Sequence, residues 1–201
     1  MDYCPVCGKS NVSLFRDKAC LDCRIGRYVD VLNSFGIAAR ILQDNDPNAP
    51  YHSIFNKIGS VREACVQLGG RHIRFIELWR TDTRNVTWFT IAYLVMQDVD
   101  YNKKDIKASL GEPYSVWHER EPLKEYKWKG GLLAQSLSSD SVLKEVLMPN
   151  KGQLEIRFES KSHIVAITEV VGDHYPDPEL KHIEAIERIV DHIRGLTSTG
   201  F

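Results

Sequence analysis

The chain lacks long apolar runs. Its longest nearly unbroken apolar stretch, Val86 to Met96, is 11 residues and contains two threonines. A membrane-spanning helix needs about 20, so no transmembrane segment and no membrane partner is expected. The first residues, Met1-Asp2-Tyr3-Cys4-Pro5, have neither the basic start nor the apolar core of a secretory signal, and a cytoplasmic location is expected. An excess of charge of one sign is also missing, since 26 Lys and Arg face 27 Asp and Glu. A nucleic-acid coat protein or a polybasic membrane binder carries a large positive surplus. The motifs by which many enzymes announce themselves do not occur: there is no Gly-x-Ser-x-Gly elbow, Gly-x-x-x-x-Gly-Lys loop, dinucleotide fingerprint or His-Glu-x-x-His pair. Fixed-period repeats and low-complexity tracts are absent as well. What remains is a composition of 43% hydrophobic and 26% charged residues over 201 positions. That is ordinary for a folded chain of one domain, or of one domain plus a small accessory module.

Cysteine is scarce overall but concentrated: four of the five fall within the first 23 residues. Cys4-Pro5-Val6-Cys7 and Cys20-Leu21-Asp22-Cys23 are two C-x2-C pairs separated by 12 residues. This spacing is a zinc signature, because two intervening residues let a tight knuckle aim both sulfurs at one ion. The short spacer folds back to complete the tetrahedron, and Gly8 suits the left-handed backbone on leaving the knuckle. Iron is the substitute such a thiolate site accepts. The competing reading, two disulfides, is opposed by a reducing compartment. Cys4, Cys7, Cys20 and Cys23 are therefore the expected ligands of a structural Zn2+, and Cys65 reads as a small buried hydrophobe.

After the second pair, Ile25, Tyr28, Val29 and Leu32 recur at helical spacing, which places Cys20 and Cys23 at a helix start. Knuckle, hairpin and a helix carrying the last two ligands together resemble the treble-clef family of zinc modules, over about residues 3–35. A zinc ribbon, with strands after the second pair, is the alternative shape. Treble-clef modules include DNA readers, RNA binders and modules that only hold proteins together, so the resemblance implies a fold and a metal and leaves the function open.

The sequence divides into a zinc-binding module at 1–43, a linker at 44–58 with two prolines in Asp46-Pro47-Asn48-Ala49-Pro50, and an α+β domain at 59–201. Gly36 reads as a helix stop, and Ile37 to Leu42 as a short strand in preference to a second helix. Ser60-x-x-Glu63 reads as a capping box opening a helix that ends at Gly69-Gly70. Ile73–Trp79 and Val86–Val95 read as paired strands, as do Leu154–Phe158 and Ile164–Val170. Ser139 to Met148 looks helical. The closing segment sets Leu180, Ile183, Ile186, Ile189, Val190, Ile193 and Leu196 on one helical face, punctuated by Pro178 and Gly195. The order hairpin, helix, hairpin, helix predicts an antiparallel sheet with helices on one face.

Other candidate chemistry is thinner. Asp98-x-Asp100-x-Asn102 begins like a calcium loop, but Lys103 stands where the glycine is required and Ser109 where the bidentate acid belongs. His174 and Asp177, and His118-Glu119, read as loop residues. Lys124 to Gly131, with Tyr126, Lys127, Trp128 and Lys129, interleaves aromatics and lysines as single-stranded nucleic-acid binders do. Lys18, Arg24 and Arg27 supply bases beside the cysteines. In residues 1–40 six bases outnumber four acids, a surplus that four thiolates around one Zn2+ cancel. The expected function is that of a non-enzymatic, zinc-binding regulatory or nucleic-acid-associated protein. A protein-binding adaptor without nucleic-acid contact is the alternative, and a homodimer is compatible with both. A catalytic zinc is disfavoured because four protein thiolates leave no position for water.

Overall fold

In a computed structural model the residues described are 3–9, 20–43, 46, 50, 60–82, 87–96, 103–111, 125–148, 153–160, 162–172 and 175–198. They form a mixed α+β fold of five helices and an eight-stranded antiparallel sheet. Helix α1 (Leu21–Ser34) leads into β1 (Ala39–Leu42), followed by β2 (Ser60–Leu68), β3 (Phe75–Asp82) and β4 (Thr87–Met96). A short α2 (Lys103–Ile106), β5 (Ala108–Leu110) and β6 (Trp128–Gly130) come next, then α3 (Leu132–Ser138) and α4 (Ser141–Leu147). The chain closes with β7 (Gln153–Glu159), β8 (Ile164–Gly172) and α5 (Leu180–Ser198). The strand order is β1-β2-β3-β4-β8-β7-β5-β6. The two expected hairpins, β3–β4 and β7–β8, thus meet at the centre of the sheet through β4 and β8.

Alternation along the strands decides what each face buries. Phe89, Ile91, Tyr93 and Val95 of β4, with Leu154, Ile156 and Phe158 of β7, join one cluster with the buried residues of all five helices. On the opposite face Leu42, Cys65, Phe75, Ala92, Leu94, Ile164 and Ala166 form a second, smaller cluster. Cys65 is buried there, as expected of a small hydrophobe. Ile25, Tyr28, Val29 and Leu32 of α1 belong to the same core cluster as the sheet, and β1 pairs with β2. Among the described residues no helix is long and apolar enough to cross a membrane.

α1 ends where Gly36 takes φ +74°. The Ile37 N–H returns to Leu32 C=O and the Gly36 N–H to Asn33 C=O, a Schellman closure that a side chain at this φ would strain. Leu32 and Ile37 share the core cluster and supply its apolar contact.

The helix expected from Ser60 is instead the strand β2. Ser60 does not cap; its Oγ lies 2.9 Å from Thr81 Oγ1 on β3. β2 is flanked by β1 and β3 with Ala64, Val66 and Leu68 buried on one face and Cys65 on the other, so burial on both faces overrides the local capping signal. A register shift between Arg62 and Ala64 leaves Glu63 as an extra residue. Such a bulge re-aims side chains: Arg62 pairs with the fully buried Glu77 at 3.0 Å, while Glu63 accepts from Arg80 at 2.9 Å and from the Tyr175 hydroxyl at 3.1 Å. Gly195 lies inside α5 and does not end it. The Asp44–Pro50 stretch falls largely outside the described residues, as do Asp98, Asp100, Asn102, Trp117, His118 and His174.

Candidate metal centre

The first cysteine pair sits in a turn that its own backbone closes. The Gly8 N–H donates to Cys4 C=O at 2.8 Å and the Cys4 N–H to Lys9 C=O at 3.0 Å, with Gly8 at φ +71°. The second pair is set by α1. Cys20 occupies the N-cap with extended backbone, its C=O accepting from Arg24 N–H at 3.1 Å, and Cys23 follows in the first turn. The Cys20 N–H donates to Cys4 Sγ at 3.3 Å, tying the two pairs together. Cys4 Sγ lies 3.8 Å from Cys23 Sγ, and Cys7 Sγ lies 3.6 Å from Cys20 Sγ. All four sulfurs fall within 4.8 Å of one another, a group able to hold a metal ion. These separations are far longer than the ~2.05 Å of a disulfide, and all four cysteines are free thiols.

The electrostatics suit a cation. The Cys4 thiol is lowered to about 6, chiefly by the Cys20 N–H, with the Cys7 and Val6 N–H groups adding to it against the effect of burial. Cys23 is pushed strongly upward by its sulfur neighbours Cys20 and Cys7, by burial and by Cys4. The Cys4 thiolate therefore forms readily while Cys23 resists ionising; a divalent ion at the centre would remove that resistance. The amide end of α1 also points its partial positive charge at the cluster. Lys9 pairs with Asp22 at 2.6 Å on the exposed rim.

The other residues singled out in the sequence do not converge. Lys18 lies outside the described residues. Arg24 donates to the Tyr175 carbonyl and Arg27 to the Asp177 carboxylate, so both hold the segment 175–179 that joins β8 to α5. Lys127 and Lys129 are exposed, but Trp128 between them is 4% exposed and belongs to the core, as does most of Tyr126, whose hydroxyl donates to Leu137 C=O at 3.0 Å. Arg24 and Arg27 are thus engaged beside the end of β8, whereas Lys127 and Lys129 flank Trp128 at β6, the edge strand of the sheet.

Two polar clusters escaped sequence reasoning. Asp140 caps α4 by accepting from Val142 and Leu143 N–H at 3.0 and 3.2 Å. Its other oxygen accepts from Arg188 Nε at 2.6 Å and meets His192 Nε2 at 2.7 Å, and His192 Nδ1 lies 2.6 Å from Ser136 Oγ. The order hydroxyl, imidazole, carboxylate is that of a nucleophile relay. Here the carboxylate is already committed to a helix cap and an arginine, and neither described cavity is lined by Ser136. The cluster is a clamp joining α3, α4 and α5. The second cluster is Glu169 with His182, 2.8 Å apart, beside Tyr28 and Tyr93. Its signal was present in the sequence: Val165, Ile167 and Glu169 share one register of β8, so an acid falls where apolar residues point inward.

Comparison with protein-family models, with curated proteins and with solved structures finds no match to this chain. The four-cysteine cluster and the α+β architecture are the properties from which its function is argued.

Proposed function

We propose that this chain is a non-enzymatic zinc protein with a regulatory role, in which a structural Zn2+ held by Cys4, Cys7, Cys20 and Cys23 fixes the knuckle to the start of α1. The observation that carries this reading is the sulfur spacing. Zn–S bonds of about 2.3 Å in a regular tetrahedron put sulfurs about 3.8 Å apart, against 3.8 and 3.6 Å here. Two C-x2-C pairs, one on a knuckle and one at a helix start, also accord with a treble-clef arrangement. Four thiolates close the coordination sphere, so the ion stabilises and does not activate water. The regulatory part of the reading draws on α1 itself: the helix whose first turn carries two ligands also holds, through Arg24 and Arg27, the 175–179 segment over the sheet.

For the partner, the adaptor reading has a specific observation in its favour. Trp128 is buried, and Arg24 and Arg27 are engaged within the chain, whereas Tyr3 and Val6 on the knuckle are 59% and 70% exposed. A protein partner meeting the knuckle uses apolar side chains already at the surface; a nucleic acid would have to displace internal contacts.

Cobalt substitution tests the metal. One equivalent of Co2+ with intense tetrahedral ligand-field bands and thiolate charge transfer, lost in Cys4→Ser, is expected; sub-stoichiometric uptake overturns the reading. Anisotropy of labelled random DNA and RNA at two salt concentrations tests the partner. The adaptor reading expects no binding at low salt, and salt-sensitive binding at micromolar protein or below would return nucleic acid to the site.

A further inference from the structure

Between α1 and α5, over β4 and β8, the helix-covered face of the sheet carries an open pocket of about 100 Å³. That volume admits several water molecules or a short ligand. Its floor is apolar, with Ile91 and Ile183, but its walls are not. Tyr28 and Tyr93 are 4% and 1% exposed and their hydroxyls hydrogen-bond to one another. Burial pushes both phenols above their usual range, with the Glu169 charge adding to the effect, so both stay neutral. Glu169 is 7% exposed. Its Oε2 meets His182 Nε2 at 2.8 Å, and among the described residues its Oε1 has no hydrogen-bond partner. The Glu169 carboxylate lines the pocket, within reach of a donor that enters it. Pro176, Asp177, Pro178 and Glu179 form the rim, adding two carboxylates, one of them paired with Arg27. Burial opposes charge on His182, yet the Glu169 hydrogen bond and charge, with the Glu179 charge adding to them, raise its pKa overall, so His182 and Arg27 together leave the three carboxylates one negative charge in excess.

We propose that this cavity is a binding site for a small organic cation, a primary ammonium on a short apolar tail, whose nitrogen donates to Glu169 Oε1 and whose carbons lie on Ile91 and Ile183. The phenols face a cation well, since their oxygens accept and their rings attract positive charge. An anion meets this excess of negative charge, and a neutral alcohol does not answer it. The site supplies the ligand for the regulatory reading above and rests on it in that sense alone. The segment 175–179 that rims the cavity is held by α1, so occupancy and the metal-bound helix share one set of contacts.

The test is calorimetric titration of the full-length, metal-loaded protein with n-butylammonium, 1-butanol and butyrate, with metal content measured on the same samples. Saturable binding of butylammonium alone is expected, weakened at least tenfold in Glu169→Gln and several-fold in Tyr93→Phe, both with one equivalent of metal. Glu169→Gln is also expected to lower the Tm of the ligand-free protein, because it removes the carboxylate that pairs with His182. Equal binding of butanol, binding unchanged in Glu169→Gln, or no saturable heat from butylammonium overturns the proposal. Should that happen in protein carrying stoichiometric metal, the zinc reading stands; protein without metal defeats the zinc reading instead.

Discussion

In the knuckle of residues 3–9 only Cys4 is buried; Tyr3, Pro5, Val6, Cys7, Gly8 and Lys9 all face solvent. At the other end of the chain α5 drives Ile183, Ile186, Ile189, Val190 and Ile193 into the core at 1% exposure or less. One region has almost no apolar surface with which to offset the entropy of ordering its backbone, so on the zinc reading proposed above its order comes from sulfur and an ion. The other has an apolar face of its own and a buried carboxylate clamp. α1 belongs to both. Its first turn presents Cys20 and Cys23, while Leu32 and Ile37 anchor its far end in the shared core.

The largest effect expected is on the first region alone. Metal binding is worth about 10–16 kcal/mol in zinc-finger peptides, and Cys4→Ser or chelation should remove the knuckle and the first turn of α1 from the folded set. The sheet and α5 should still melt cooperatively in calorimetry. A single melt that disappears on chelation would show the two regions to be one unit.

The second region breaks at Asp140. Its side chain is 3% exposed and joins three helices. Asp140→Ala removes an N-cap and strands Arg188 and His192, which should cost about 3 kcal/mol in denaturant unfolding, with metal content unchanged. Burial alone would raise this carboxyl, but hydrogen bonds from Arg188, His192 and Leu143 N–H hold it well below its usual range. A depressed folded pKa means the contribution is full above the unfolded value near pH 4 and is lost as pH falls through the folded one. The acid limb of stability should therefore be shallower in Asp140→Ala, and an unchanged limb would contradict the clamp.

A third effect is steric. A Cβ on Gly131 would stand 2.0 Å from Lys104 C=O, and one on Gly130 the same distance from Lys107 C=O. Gly131→Ala should cost about 1–3 kcal/mol by overpacking backbone against backbone; a neutral result would mean that β6 and α2 separate easily. The smallest effect is expected at the Arg27–Asp177 pair, whose side chains are 65% and 51% exposed. Arg27→Ala should change stability by no more than about 0.5 kcal/mol.

Much of this contrast was legible in the chain. Spacing alone marked Cys4, Cys7, Cys20 and Cys23, and periodicity marked α1, α5 and the two central hairpins. β2 was misread because Ser60 and Glu63 mimic a cap, while its strand character comes from partners on both sides that no local window contains. β5 and β6, of three residues each, are too short to show a period. Trp128 looked like a stacking platform because a buried and an exposed tryptophan have the same sequence. The Asp140 clamp and the Glu169–His182 pair join positions 52 and 13 residues apart, and only the packing of α5 on α3, α4 and β8 brings them together.

The most direct test of the central claim is amide hydrogen exchange of the metal-loaded and metal-free protein, compared peptide by peptide. With the ion removed, amides of residues 4–9 and of the first turn of α1 should lose protection while those of α5 and β8 keep theirs. Loss spread evenly over the chain, or no loss at the knuckle, would contradict a metal that holds one region of a fold whose remainder holds itself.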